Sequence, residues 1–250
     1  MSKIKNTFAP NKTIMCTVTF FPKGSHQYIL TSNRDVAPAR HAEELLSQTI
    51  NGQKITFPKD PKAGGTWIAV GEKGRMVCLL NGGFIKHIVS PPYKKSRGLI
   101  VLESFEWDSF EAFAKEYDFE NIEPFTLIGL NPQEGYFELK WTGEMRFLRK
   151  LNHHQPTIWS SSTLYNRPIR AMRQSWFDQW LKKAPDSPEA IIDFHLNGGE
   201  PDRINGFVMN RADIVCTTSI TQVVYANSQA QIRHTDLITK KTTQLQAVTT

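Results

Sequence analysis

Met15-Cys16-Thr17-Val18-Thr19-Phe20-Phe21 and Tyr28-Ile29-Leu30-Thr31-Ser32-Asn33-Arg34-Asp35 decide how the chain begins to fold. Both runs are rich in β-branched and aromatic residues. Pro22-Lys23-Gly24-Ser25-His26 between them carries turn residues, so the pair predicts a β-hairpin. Setting Phe21 opposite Gln27 places Cys16 opposite Ser32. Arg34 is then a diagonal neighbour on the same face as Cys16, with Asn33 and Asp35 on the other face. A one-residue slip would exchange those faces. In either register a cysteine, an arginine and an aspartate converge where two strands end.

Outward from this hairpin, residues 1–14 are polar and basic, with Lys3, Lys5 and Lys12 and no apolar period. They are expected to be a loose leader or a mis-annotated start, followed by a single domain over 15–243 and a frayed tail over 244–250. His41 to Leu46 reads as a short turn and Ile55-Thr56-Phe57 as a short strand. Thr66 to Val70 and Arg75 to Leu80 flank Gly71-Glu72-Lys73-Gly74, a second hairpin whose pairing sets Gly64 opposite Asn81. The Gly64-Gly65 pair permits close backbone approach at that point. Residues 99–117 predict one amphipathic helix. A three-strand meander and a short strand at 157–163 follow. Ile169 to Lys183 predicts a second helix, and the run after Ser187-Pro188 a third, capped by the serine. The remainder predicts strands over 204–209, 213–224 and 231–239. Antiparallel runs with helices between them, without βαβ alternation or a Gly-rich phosphate loop, point to an α+β fold.

At 250 residues, 40% of them hydrophobic, the chain is long enough for a sizeable core. Thirty Lys plus Arg against 24 Asp plus Glu give a net charge of +6. The cations are scattered as pairs and form no nucleic-acid arm, so no nucleic-acid partner is expected. Cys16, Cys78 and Cys216 lack CxxC spacing, which argues against a disulfide framework or a zinc site and for a reducing compartment. His153-His154 lack a third ligand at metal spacing. The first fifteen residues have no apolar core and do not read as a secretory signal, and no stretch approaches the roughly 18 uninterrupted apolar residues of a membrane span. A cytoplasmic protein without metal or cofactor is expected.

Cys16 follows Met15 directly. As a first residue, Cys16 would carry an α-amine, with a pKa of about 8, able to act as base toward its own thiol. Arg34 nearby favours the thiolate, and Asp35 is expected to hold the arginine or the ammonium. Asn81, at the end of the second hairpin, is the right kind of donor for an oxyanion. The same residues also read as a small buried strand residue, a polar turn and a turn former, and residue types leave both readings open.

Met15-Cys16, Ser32-Asn33-Arg34-Asp35 with Arg40, Gly64-Gly65-Thr66-Trp67 and Leu80-Asn81 resemble, in order and spacing, the NRDE family, also called transport and Golgi organisation protein 2. The similarity is densest over 15–83 and continues weakly through Ser160 to Tyr165 and on to the C-terminal strands. That family looks like the N-terminal-nucleophile hydrolases, in particular the cysteine branch of penicillin V and bile-salt amidases. The resemblance implies an αββα sandwich of two mainly antiparallel sheets between helical layers. It implies Cys16 as nucleophile, Arg34 and Asp35 beside it, and Asn81 in the oxyanion hole. Asn33, Gly65, Trp67, Ser161 and Ser162 are the expected substrate contacts. The sequence departs from the family pattern at Val36, where the family name has Glu, and around Ser161-Ser162, where Ser-Asn is common. It departs again at Thr218, where an arginine is expected.

The function this implies is hydrolysis of a non-peptide amide or related acyl bond in a small molecule. The alternative on the same scaffold is a non-catalytic carrier of haem, lipid or acyl-CoA, with Cys16 as an axial thiolate for haem. The amine-based mechanism requires cleavage at Met15–Cys16 or a translation start at Met15.

Overall fold

The computed structural model describes residues 15–24 and 26–247, so the expected leader and the last three residues of the expected tail lie outside it. The first hairpin is β1 (Met15–Pro22) and β2 (Tyr28–Val36). Four strands follow: β3 (Leu45–Ile50), β4 (Gln53–Pro58), β5 (Ile68–Gly71) and β6 (Met76–Asn81). Helices α1 (Arg97–Glu103) and α2 (Phe110–Glu116) lead into β7 (Phe125–Asn131), β8 (Gly135–Trp141) and β9 (Arg146–Lys150). After β10 (Thr157–Ser160) come α3 (Arg167–Leu181) and α4 (Pro188–Asn197). The chain ends with β11 (Asn210–Arg211), β12 (Val215–Ala226), β13 (Gln229–Asp236) and β14 (Thr242–Ala247).

Two antiparallel sheets result. One runs β10-β1-β2-β12-β13-β14 with β11 beside β12, and the other runs β3 to β9 in chain order. Alternation along each strand sorts side chains into three apolar layers. Val18, Phe20 and Leu30 meet Ile68, Met76 and Leu80 between the sheets. Val77, Leu79 and Phe137 pack under α1 and α2 with Val101, Phe105 and Phe113. Phe21 and Ile29 pack under α3 and α4 with Phe177 and Phe194. Because helices cover both outer faces, β2 is buried at every position. The architecture is the αββα sandwich that the resemblance implied.

The first hairpin pairs two residues away from the expected register, with Cys16 opposite Arg34 rather than Ser32. An even shift keeps each side chain on its face, so Cys16 and Arg34 do share one side and Asn33 and Asp35 the other. In the second hairpin the pairing is one residue tighter, Val70 opposite Met76, and extending that register brings Gly65 rather than Gly64 level with Asn81. Gly74, at φ +81, closes its three-residue loop.

Other elements differ from expectation for identifiable reasons. The single helix over 99–117 is two helices. The Arg75 guanidinium bonds the carbonyls of Trp107 (2.6 Å) and Asp108, and Ser109 caps α2 through the Ala112 amide (3.0 Å). The expected turn at 41–46 gives way at Leu45 to a strand paired with β4. Residues 204–209 are not a strand. The carbonyls of Asn205, Gly206 and Phe207 are taken by the side chains of Arg173 and Asn33. The tail is not frayed as far as Ala247, which pairs with Ala230 and is buried.

Candidate active site

Arg34 is fully buried, and its guanidinium is bound on two sides. One terminal nitrogen donates to the Arg40 carbonyl (2.5 Å) and the other to Asp60 Oδ2 (2.5 Å), an oxygen that also receives Arg40 (2.5 Å). The guanidinium carbon lies 4.1 Å over the ring of Trp67, an attractive cation–π geometry. Backbone amides of Lys62 (2.9 Å) and Ala63 (3.0 Å) bind the second oxygen of Asp60. Burial raises the Asp60 carboxyl, but the Ala63 amide, Arg34 and Arg40 outweigh it and leave the group below its ordinary value. Arg34 is lowered by burial to about 10 despite Asp60 and remains cationic at neutral pH.

This corrects the expected role of Asp35. Its carboxylate lies on the opposite face of the sheet, where Thr217 (2.6 Å) and Tyr165 (3.1 Å) donate to it, and it does not hold Arg34. Burial raises Asp35, with Arg173 and those two hydroxyls pulling it partly back. Asn33 shares that face. Its amide nitrogen donates to the carbonyls of His195 (3.0 Å) and Phe207 (2.8 Å), and its oxygen pairs with His195 Nδ1 (2.5 Å). Asn33 therefore ties β2 to α4 and the loop after it, and the structure does not bring it to the cavity beside Arg34.

That cavity, ≈ 190 Å³, is lined among others by Arg34, Gly65, Trp67, Asn81 and Arg97. Gly65 is required by packing, since a Cβ there would lie 2.3 Å from the Gly98 carbonyl carbon at the start of α1. The indole nitrogen of Trp67 and Nε of Arg34 are buried with no hydrogen-bond partner among the described residues. A second cavity, ≈ 210 Å³, is lined by Gly82, Gly83, Ser161, Ser162, Lys140 and Arg170 among others. The Asn81-Gly82-Gly83 turn therefore contributes to both cavities.

Ser161 joins the pieces. Its amide donates to the Cys16 carbonyl (3.1 Å) and its hydroxyl to the Asn81 carbonyl (2.7 Å), so it links the strand of Cys16 to the end of β6. Ser162 donates to the Ile85 carbonyl (3.3 Å). Thr218, where an arginine was expected, sits at a bulge in β12 and donates to the Arg34 carbonyl (3.3 Å).

Cys16 is 1% exposed in the layer between the sheets. Burial above all pushes its thiol well above the ordinary value, with Cys78 and Asp35 adding to this and Arg34 and the Asp35 amide opposing. Within the intact chain the thiol is thus held protonated. Among the described residues no three His, Cys, Asp or Glu side chains gather as a metal site. No described helix is long and apolar enough to cross a membrane.

Asp60, Arg97 and Glu123 all line the Arg34 cavity and were not singled out from sequence. For Asp60 a signal existed: two closely spaced arginines, Arg34 and Arg40, needing a counter-charge, and an acid in the Pro58-to-Pro61 loop.

No curated protein sequence matches the chain. Penicillin V acylase from Agrobacterium tumefaciens superposes with a TM-score of 0.57 at 9% identity, covering 92% of this chain and 85% of that one. The Caenorhabditis elegans N-acylethanolamine-hydrolyzing acid amidase ortholog also gives 0.57, at 12% identity over 83% of this chain and 91% of its own. A variant of conjugated bile acid hydrolase from Clostridium perfringens gives 0.55 at 11% identity, covering 92% of each. At these identities the likeness establishes the N-terminal-nucleophile-hydrolase-like fold. The family model described as Transport and Golgi organisation 2 matches residues 15–197, and the chain belongs to that family.

Proposed function

We propose that this protein is a cysteine N-terminal-nucleophile hydrolase that cleaves a non-peptide amide or related acyl bond of a small molecule. The observation that carries this reading is the register that sets Cys16 directly opposite Arg34, with Arg34 and Asn81 lining one cavity. Support also comes from the fold, shared with an acylase, an acid amidase and a bile acid hydrolase.

The chemistry follows from the residue types. A chain beginning at Cys16 has an amine beside the thiol, and the amine takes the thiol proton as Sγ attacks the substrate carbonyl carbon. The side-chain amide of Asn81 donates to the oxyanion that forms. Arg34, held by Asp60, favours the thiolate electrostatically. The ammonium of Cys16 returns its proton to the departing amine, and water then hydrolyses the thioester to release the acid. Asp35, on the far face, is a positioning residue for the strand that carries Arg34.

The test is intact-mass analysis of the purified protein with a panel of amides and esters, alongside Cys16→Ser and Cys16→Ala variants. The expected result is a mature chain starting at Cys16, an acyl adduct on it, and a loss of at least about 10³-fold in turnover for Cys16→Ala. A chain intact from Met1 through Cys16 in cells, with no adduct from any member of the panel, would overturn the reading. Stabilisation by haem or acyl-CoA without turnover would replace it with the carrier.

A further inference from the structure

Thirteen large hydrophobic side chains are exposed among the described residues, and four of them come from one six-residue stretch. Phe84 is 45% exposed, Ile85 74%, Ile88 92% and Val89 38%. A fifth, Phe147 on the edge strand β9, is 43% exposed and meets Phe84 edge-on at 5.1 Å. Scattered single apolar residues on a surface are ordinary, but a contiguous group of this kind marks an interaction site.

The loop that carries them is fastened to the body of the protein. The Gly82 amide donates to the Pro124 carbonyl (2.9 Å), Ser162 to the Ile85 carbonyl (3.3 Å), and the Lys94 amide to the Asn121 carbonyl (2.8 Å). His87 pairs with Glu123 (3.1 Å). The backbone is thus bonded inward while Ile85 and Ile88 stand outward, so their exposure is built into the fold.

Charge selects the occupant. No Asp or Glu occurs between Glu72 and Glu103, whereas Lys86, Lys94, Lys95 and Arg97 all fall on or beside the loop. Lys94, Lys95 and Arg97 have counter-ions in Asp118, Glu103 and Glu123. Lys86 is exposed and has no acidic partner among the described residues, while the Lys140 ammonium lies 4.6 Å over the Phe84 ring and is paired with Glu138 (3.3 Å). Two copies of the chain meeting through this face would bring like charges together. A phospholipid surface supplies both an apolar layer for the aliphatic side chains and anions for Lys86.

We propose that residues 84–89, with Phe147, dock the protein on an anionic lipid bilayer, with Lys86 at the headgroups. The same loop continues into the walls of both cavities, through Gly82-Gly83 at one end and Ser96-Arg97-Gly98 at the other. Docking would therefore hold the cavity rims against the membrane, where acyl compounds concentrate.

The experiment is flotation of the full chain with vesicles of phosphatidylcholine containing about one-third phosphatidylserine, against vesicles of phosphatidylcholine alone. Wild type is expected to float with the anionic vesicles and to be released as salt rises. Ile85→Ser/Ile88→Ser should lower the bound fraction at least about tenfold. Lys86→Ala should lower it about fivefold. All three positions are exposed, so thermal unfolding of these variants should match wild type, separating lost docking from lost folding. Failure of wild type to float, or flotation of the double variant at the wild-type level, would overturn the proposal. A concentration-dependent dimer in sedimentation velocity, abolished by the double variant, would assign the face to a second copy and overturn it equally. Cys16→Ala should float as wild type does, so this outcome and the fate of the hydrolase reading are independent.

Discussion

The two faces of one hairpin carry two buried arginine–aspartate constellations, and they are built to opposite ends. On the outer face, under α3 and α4, Arg173 spends every nitrogen. It donates to the Asn205 carbonyl (2.9 Å), Thr17, Tyr165 Oη (2.8 Å) and the Gly206 carbonyl (2.5 Å), while Tyr165 and Thr217 donate to Asp35. On the inner face Arg34 is bound by Arg40 and Asp60 but keeps its Nε unpaired, Trp67 keeps its indole N–H unpaired, and both line a cavity. A saturated network rigidifies, whereas buried donors left beside a cavity are a place for a ligand. Neighbouring residues on one strand, Arg34 and Asp35, thus face a cavity and a saturated network according to the parity of their position.

That contrast can be broken most forcefully at Arg173. Arg173→Met leaves Asp35 buried without its cation, and the expected cost is roughly 3–5 kcal/mol. For a chain of this size that lowers Tm by roughly 10 °C in thermal unfolding followed by circular dichroism. Turnover per folded molecule should hold near wild type, and a selective loss of kcat without a fall in Tm would erase the distinction between the faces.

Asn81→Ala probes the inner side. Removal of one oxyanion donor should lower kcat by about 10²–10³-fold with KM little changed, because the interaction forms in the transition state. A rise in KM alone would make Asn81 a ground-state binding residue.

The smallest effect separates the faces by pH. Burial, and then Arg173, push His195 down from 6.5 to about 3, where it bonds Asn33 and Thr19 as the neutral ring. The unfolded chain protonates this histidine below 6.5 and the folded chain does not until about 3. Its contribution is therefore complete above 6.5 and is lost as pH falls, at about 1.4 kcal/mol per pH unit. Urea unfolding between pH 6.5 and 5 should show that slope, and His195→Phe should reduce it. The slope should not vanish, since burial also lowers His234 and gives the same sign. An unchanged slope in His195→Phe would remove His195 as its source.

The fold and the site were legible in the sequence to different depths. The hairpins were readable because β-branched runs and turn residues act locally, and Ser187-Pro188 announces α4 for the same reason. The placing of Cys16 and Arg34 on one face of the first hairpin was recognisable from the motif. The break between α1 and α2 was not, because it depends on Arg75, which is more than 25 residues away in the chain and captures the carbonyls of Trp107 and Asp108. Nor was the irregular course of 204–209, whose carbonyls answer to Arg173 and Asn33.

By itself the sequence determined which side chains of one strand share a face; across the first hairpin that survives the even shift that moved Cys16 from Ser32 to Arg34, whereas the one-residue shift of the second hairpin exchanges the faces. It also marked Gly64-Gly65 as a place of close backbone approach, while the neighbour that Gly65 meets, Gly98, was decided by the fold. Only the tertiary structure decided the partners: Asp60 rather than Asp35 for Arg34, and Tyr165 with Thr217 for Asp35. Alternation is a property of a few adjacent residues. Partner choice depends on which loop the closed sandwich folds over each strand end, and that is set by the packing of both sheets together.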